Sequence, residues 1–118
     1  MIRPMLGLLA ATFLVPWASP GLAHSTGTTT MLASWYGEYF HQRTTANGET
    51  YDMYGLTAAS KDLPFNQQLR VCYRSCITVR INDRGPFVGG RELDLSYGAA
   101  KAIGMVDVGV ADVEVTFL

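Results

Sequence analysis

Hydrophobic and polar residues alternate with a period of two in two neighbouring stretches of the chain. Residues 69–73 read LRVCY and residues 77–82 read ITVRIN, with a short polar segment between them. Because successive side chains of a strand point to opposite faces, this pattern predicts a β-hairpin with one buried face. The sequence NDRGP at 82–86 is rich in turn-forming residues and predicts the end of the second strand.

The rest of the pattern predicts further short strands and one helix. Strands are expected at 31–36, more weakly within 51–59, at 92–95, and over the regular alternation at 111–117. Ser96 suits the N-cap of a helix over Tyr97–Ile103, and Gly104 suits its C-cap. The polar connection at 37–48 is long, which is typical of functional or disordered loops. These elements predict a small, mainly β barrel with one or two short helices.

The first 23 residues have the composition of a targeting segment. Arg3 precedes an apolar run of 12 residues at 6–17, and small residues follow at 21–23. This pattern predicts a signal peptide cleaved after Ala23, since a membrane span needs roughly 20 apolar residues. Residues 24–30 then predict a flexible polar leader, and 31–118 the folded domain. With no cysteine near the cleavage site, we expect a periplasmic or secreted protein without a lipid anchor or stable membrane insertion.

Charge and cysteine content narrow the classes of partner. A net charge of −1 and a pI of about 6.0 leave no basic surface for nucleic acid. Cys72 and Cys76 flank a three-residue turn between predicted strands, where facing residues come close enough for a disulfide. A metal site is the alternative, but two thiols without a nearby histidine make a poor ligand set. We expect a monomer without metal or cofactor.

Three blocks, in order, carry a family resemblance: ASWYG at 33–37; TANGE at 45–49 with YDM at 51–53 and LTAA at 56–59; and NDRGPFVGGR at 82–91 with DLS at 94–96. Together they resemble the RlpA-like (rare lipoprotein A) domain. The resemblance implies a six-stranded double-psi β-barrel. It also implies lytic transglycosylase activity on peptidoglycan glycan strands, in which the MurNAc–GlcNAc β-1,4 bond is cut without water to leave a 1,6-anhydro end.

The resemblance also implies roles for individual acids. Asp83 matches the family's catalytic aspartate, although an aspartate at this position can equally hold a turn by accepting backbone amides. Glu49 matches an acidic position beside the substrate, and its alternative is an exposed loop glutamate. Asp94 lies where related double-psi proteins keep a functional aspartate, and its alternative is a cap beside Ser96. An acid that protonates the leaving oxygen needs a raised pKa, which partial burial supplies.

Further residues are predicted to contact substrate. Tyr36, Asn82 and Arg84 lie within the matching blocks, and Tyr36 can stack on a sugar ring or pack at the barrel rim. Ser60 replaces a histidine that the family commonly has in its active site. A serine hydroxyl neither gains nor loses a proton near neutral pH, which favours an alternative function as an expansin-like, non-catalytic glycan-binding module. His41 in the long loop is a possible substitute or a solvated histidine. A secreted interaction or defence role is a third hypothesis.

Overall fold

The computed structural model describes residues 27–118, in which six strands close into a barrel. In chain order they are β1 (Thr28–Tyr36), β2 (Thr57–Ala59), β3 (Gln68–Cys72), β4 (Cys76–Asp83), β5 (Leu93–Ser96) and β6 (Ala111–Phe117). Helix α1 (Tyr97–Ile103) follows β5, and a 3₁₀ turn (Glu38–Phe40) follows β1. The predicted six-stranded barrel with short helices is therefore confirmed.

The strand order around the barrel is β1-β5-β2-β4-β3-β6. The β1–β5 and β2–β4 pairs are parallel, and the other four pairs are antiparallel. Alternate residues of the strands point inward and exclude water, which forms the core. The large buried aliphatic residues that the strands contribute are Leu69, Val71, Val79, Ile81, Leu93, Leu95, Val113 and Val115. The alternating pattern in the sequence thus identifies the interior correctly.

Helix α1 begins and ends at the predicted caps. The Ser96 hydroxyl accepts the Ala99 N–H at 3.1 Å, and Gly104 takes a left-handed conformation with φ of 82°. Gly98 is required by close packing, because a Cβ there would lie 2.5 Å from the Tyr54 carbonyl oxygen. The helix therefore lies directly against the loop that precedes β2.

The β3–β4 hairpin is closed by the predicted disulfide between Cys72 and Cys76. These two residues face each other in the antiparallel register with Cα atoms 4.0 Å apart. Because the bond uses both thiols, the alternative of a metal site at these cysteines is wrong. The tip of the hairpin is also tied to α1, since the Ser75 hydroxyl donates to the Ala102 carbonyl at 2.6 Å.

Two predicted boundaries need correction. The leader predicted over 24–30 overlaps β1, because Thr28, Thr29 and Thr30 pair with β6 and so gain backbone partners. The weak strand predicted within 51–59 is a strand only at Thr57–Ala59. The segment before it is irregular and still buries Tyr51, which accounts for its strand-like composition.

The predicted signal peptide and residues 24–26 of the predicted leader lie outside the described residues. Across 27–118, none of the helices has the length and apolar character needed to cross a membrane.

Candidate active site

A groove of about 380 Å³ opens where several strands of the barrel end. Tyr36 ends β1, Ala59 ends β2 and Asp83 ends β4. Ala59 pairs with Asp83 on one side and with Asp94 of β5 on the other. The two acidic residues therefore flank a small alanine on adjacent strands. The residues lining the groove are Tyr36, Phe40, Thr44, Ala59, Asp83, Arg84, Gly85, Pro86, Phe87 and Asp94.

The Asp83 carboxylate accepts hydrogen bonds from three parts of the chain. Its Oδ1 accepts the Ala46 N–H at 2.8 Å and the Arg84 N–H at 2.9 Å. Its Oδ2 accepts the Tyr36 hydroxyl at 3.2 Å. One oxygen thus holds the turn, as the conservative interpretation of this residue predicts. The other oxygen, Oδ2, is bound by Tyr36, and Asp83 lines the groove.

Tyr36 is fixed by a second tyrosine behind it. The rings of Tyr36 and Tyr51 stack with centroids 4.4 Å apart and planes 12° apart. The Tyr51 hydroxyl donates to the Tyr36 carbonyl at 2.6 Å. Burial, and next the negative charge of Asp83, raise the pKa of Tyr36 far above its ordinary value. The phenol is therefore a permanent hydrogen-bond donor to Asp83.

Asp94 is the second acid in the groove, and the structure shifts its pKa. Burial raises its pKa to about 6, against an opposing hydrogen bond from Ser34 and the positive charge of Arg91. The Ser34 hydroxyl donates to Oδ1 at 3.1 Å, and Ser34 faces Asp94 in the parallel β1–β5 register. The alternative role as a cap of α1 is wrong, because Ser96 fills that position.

Glu49 has the opposite environment and lies outside the groove lining. The Arg80 guanidinium donates to both of its oxygens at 2.8 Å, and Asn82 and Asn47 add bonds at 3.1 and 3.0 Å. Hydrogen bonds from Arg80, then Asn82 and Asn47, lower the pKa of Glu49 to about 2. A carboxylate that stays ionised cannot donate a proton near neutral pH. This environment argues against proton donation by Glu49, and its catalytic role stays a prediction.

Two predicted substrate contacts are also turned away from the groove. Asn82 precedes Asp83 in a strand, so its side chain points to the other face, where it is buried against Glu49. Ser60 is 2% exposed, and its hydroxyl accepts the backbone N–H groups of Asp62 and Leu63 at 3.3 and 3.0 Å. Ser60 thus holds a turn. Neither Asn82 nor Ser60 lines the groove, and their contact with substrate stays a prediction.

Arg84 and His41 are engaged with the protein itself. Arg84 lines the groove, but its guanidinium donates to the Ser60 carbonyl at 3.1 Å and lies 3.9 Å from the centre of the Phe65 ring. His41 accepts the Met53 N–H on Nδ1 at 3.1 Å and lies outside the groove lining. It therefore does not take the place of the family's histidine.

The sequence-based predictions did not include Phe87, which forms part of the wall of the groove. Phe87 is 80% exposed and Phe40 is 44% exposed, and both line the groove beside the acids. Phe87 follows directly on the turn sequence at 82–86, so its position after Asp83 was a usable signal. Ser34 gave no such signal, because only the strand register places it beside Asp94.

The closed strand order with two parallel pairs, and solved structures of the same shape, define a double-psi β-barrel. Streptomyces papain inhibitor superposes with a TM-score of 0.63 at 20% identity, over 78% of this chain and 94% of that one. Apo Clavibacter michiganensis expansin gives 0.65 at 17% identity, over 78% of this chain and 50% of that one. Likeness at such identity shows the fold alone.

Sequence comparison defines the family within this fold. The family model described as "Lytic transglycolase" matches residues 28–115, and the chain belongs to that family, as an RlpA-like domain. The endolytic peptidoglycan transglycosylase RlpA of Pseudomonas aeruginosa strain UCBPP-PA14 is 52% identical over 86 residues. That of Vibrio cholerae is 51% identical over 86 residues, and the probable one of Synechocystis is 53% identical over 85.

These alignments include 70% of this chain but only 25%, 33% and 26% of the respective relatives. The chain therefore spans about a quarter to a third of the length of the curated relatives it matches.

Proposed function

We propose that this chain is an exported lytic transglycosylase that cleaves the MurNAc–GlcNAc β-1,4 bond of peptidoglycan and leaves a 1,6-anhydro-MurNAc end. The observation that carries the proposal is the placement of Asp83 and Asp94 on one groove, in a domain about 50% identical to peptidoglycan transglycosylases. A substrate in the cell wall places the enzyme in the periplasm or outside the cell, which agrees with the predicted signal peptide.

In the proposed reaction, Asp94 begins as the proton donor. With its pKa near 6, about half of Asp94 is protonated at pH 6 and about a tenth at pH 7. Its proton passes to the glycosidic oxygen as the C1–O4 bond breaks, and positive charge develops on the muramic ring. The GlcNAc chain leaves with that proton as its new hydroxyl hydrogen.

Asp83 completes the reaction from the other side of Ala59. Its carboxylate stabilises the developing positive charge and accepts the proton of the C6 hydroxyl as that oxygen bonds to C1. The product is the 1,6-anhydro ring, and no water is consumed. The excess proton on Asp83 returns to solvent, and Asp94 takes up another one. The Tyr36 hydroxyl keeps Asp83 oriented throughout.

The serine at position 60 does not remove either carboxylate from this scheme. Ser60 instead joins the groove from behind, since its N–H donates to the Asp83 carbonyl at 3.1 Å and its own carbonyl accepts from Arg84. The change from histidine to serine therefore leaves both acids in place. A rate below that of histidine-containing relatives is expected, because one ionisable side chain is absent.

The test is digestion of purified peptidoglycan sacculi, with mass spectrometry of the soluble products. We expect anhydromuropeptides from the wild-type chain, and a loss of at least roughly 100-fold in Asp83→Asn. The matched control is Asp112→Asn, an exposed carboxylate on β6. Wild-type protein that binds sacculi but releases no anhydro product would contradict the proposal and leave a glycan-binding module.

A further inference from the structure

We infer that Glu49 is a positioning residue that fixes the loop at 44–50 on strand β4 and thereby places the Ala46 amide on Asp83. This inference deepens the proposed function, on which its kinetic part rests. It gives the acidic residue of the TANGE block a role that needs no contact with substrate. The observations that carry it are the contacts of Glu49, the internal bonding of the loop and the alternation of β4.

The loop is a compact unit held by its own polar groups. The Thr45 N–H donates to the Glu49 carbonyl at 2.7 Å, and Thr44 and Thr50 form an antiparallel bridge. The Thr45 hydroxyl is close to the Asn47 side-chain oxygen at 2.6 Å, and the Asn47 amide donates to Glu49 at 3.0 Å. A displacement of Glu49 therefore moves the whole loop, including Ala46.

Strand β4 offers two different faces to this loop. Arg80 and Asn82 are two residues apart and hold the Glu49 carboxylate on one face. Asp83, the next residue, accepts the Ala46 N–H at 2.8 Å with its side chain. The contacts of Glu49 with Arg80 and Asn82 thus anchor the loop, and the Ala46 amide of that loop contacts Asp83 in the groove. Because the pKa of Glu49 is lowered to about 2, the anchoring charge persists at any pH well above 2.

Arg80 makes the inference testable, because it belongs to the anchor and lies outside the groove lining. Two residues that act as one unit give substitutions whose effects do not add. We expect Glu49→Gln, Arg80→Met and the double variant to lower kcat on sacculi by a similar factor, roughly 10- to 100-fold, with KM little changed. A catalytic Glu49 would instead make Glu49→Gln inactive while Arg80→Met stays near wild type.

A second measurement does not depend on activity. Hydrogen exchange of the Ala46 amide, followed by NMR, reports its bond to Asp83. We expect exchange at least about tenfold faster in Glu49→Gln and in Arg80→Met. The matched control is Asp107→Asn, which removes the exposed ion pair with Arg74 far along the chain and leaves the loop intact.

The two measurements separate two failures. If the wild-type chain releases no anhydro product, the proposed function fails, and exchange alone decides whether Glu49 anchors the loop. If Ala46 keeps wild-type protection in Arg80→Met, the positioning role is overturned, whatever the activity. If both variants lose Ala46 protection and lose kcat together while Asp107→Asn changes neither, the inference holds.

Discussion

Asp94 and Glu49 are both acidic, and the fold gives them opposite chemistry. Asp94 lies in the groove, where burial raises its pKa to about 6 with one hydroxyl as partner. Glu49 lies on the loop at 44–50, where hydrogen bonds from the Arg80 guanidinium and from two asparagine amides lower its pKa to about 2. The first can carry a proton near neutral pH, and the second cannot.

This difference shows that the environment of a carboxyl group, more than its place in a motif, determines its role. A carboxyl group that is desolvated with few donors resists ionisation, and one that is surrounded by donors stays charged. Asp83 stands between the two regions, since its one oxygen is bound by the loop and the other by Tyr36 in the groove. The ion pair between Glu49 and Arg80 therefore supports the groove by way of the loop at 44–50, whose Ala46 amide binds Asp83.

The largest expected effect comes from replacing Asp94, the carboxyl group in the groove whose pKa is raised. Asp94→Asn should lower anhydromuropeptide release by at least roughly 100-fold, since an amide cannot protonate the leaving oxygen. A rise in activity, or no change, would remove Asp94 from the mechanism. Asp112→Asn serves again as the control.

The same variant should be more stable than wild type above pH 6. The pKa of Asp94 is raised on folding, so the folded state holds a proton that the unfolded chain releases from about pH 4 upward. Stability therefore falls as pH rises from about 4 to about 6. Asp94→Asn removes this loss, and urea unfolding at pH 7 should show a gain of about 1–3 kcal/mol that vanishes near pH 4.

Tyr36→Phe tests the hydroxyl group that donates a hydrogen bond to Asp83 in the groove. Phenylalanine keeps the stacking on Tyr51 and removes only the hydroxyl that donates to Asp83. We expect kcat to fall roughly tenfold, equal to the loss of about 1.4 kcal/mol from one charge-assisted bond. Sacculus pull-down should stay unchanged. Weaker binding with unchanged kcat would instead support the predicted stacking of Tyr36 on sugar.

Ser60→Ala separates a turn from a substrate contact. The hydroxyl accepts two backbone N–H groups, so its loss should lower the free energy of unfolding by about 1 kcal/mol. Activity per folded molecule should be unchanged. A loss of activity without a loss of stability would support the prediction that Ser60 contacts substrate.

The smallest effect is the acid stability given by Glu49. Its folded pKa is lowered, so its contribution is present at neutral pH and is lost as pH falls from about 5 toward 2. The pair is more than a third exposed, so the contribution should be less than about 1 kcal/mol. Thermal unfolding of Glu49→Gln and wild type should differ at pH 7 and coincide near pH 2. A difference in thermal unfolding that stays constant across this range would contradict a stabilising role for the charge of Glu49.

Period-two alternation predicted the hairpin and the closing strand because each has one face in the core. The caps of α1 were also predictable, since Ser96 and Gly104 act on their immediate neighbours. The start of β1 was not, because polar Thr28 is a strand residue only through its partner in β6. Local pattern carries no information about pairing between distant segments.

The site was predictable where a motif fixes a position and not where contacts fix a role. The resemblance located Asp83 and Asp94, and both line the groove. It also suggested Glu49 and Asn82 for the site, and these two residues bond each other outside the groove lining. Only the alternation of β4 separates Asn82 from Asp83, and only the Arg80 contact shows that Glu49 is permanently charged.

The central claim is that the proton-donating carboxyl group is Asp94 in the groove, and not Glu49 on the loop at 44–50. NMR titration of the side-chain carboxyl carbons of Asp94 and Glu49 in the folded protein tests it most directly. We predict a midpoint near pH 6 for Asp94 and near pH 2 for Glu49. An Asp94 midpoint at or below its ordinary value near 4, together with a Glu49 midpoint above 4, would contradict it.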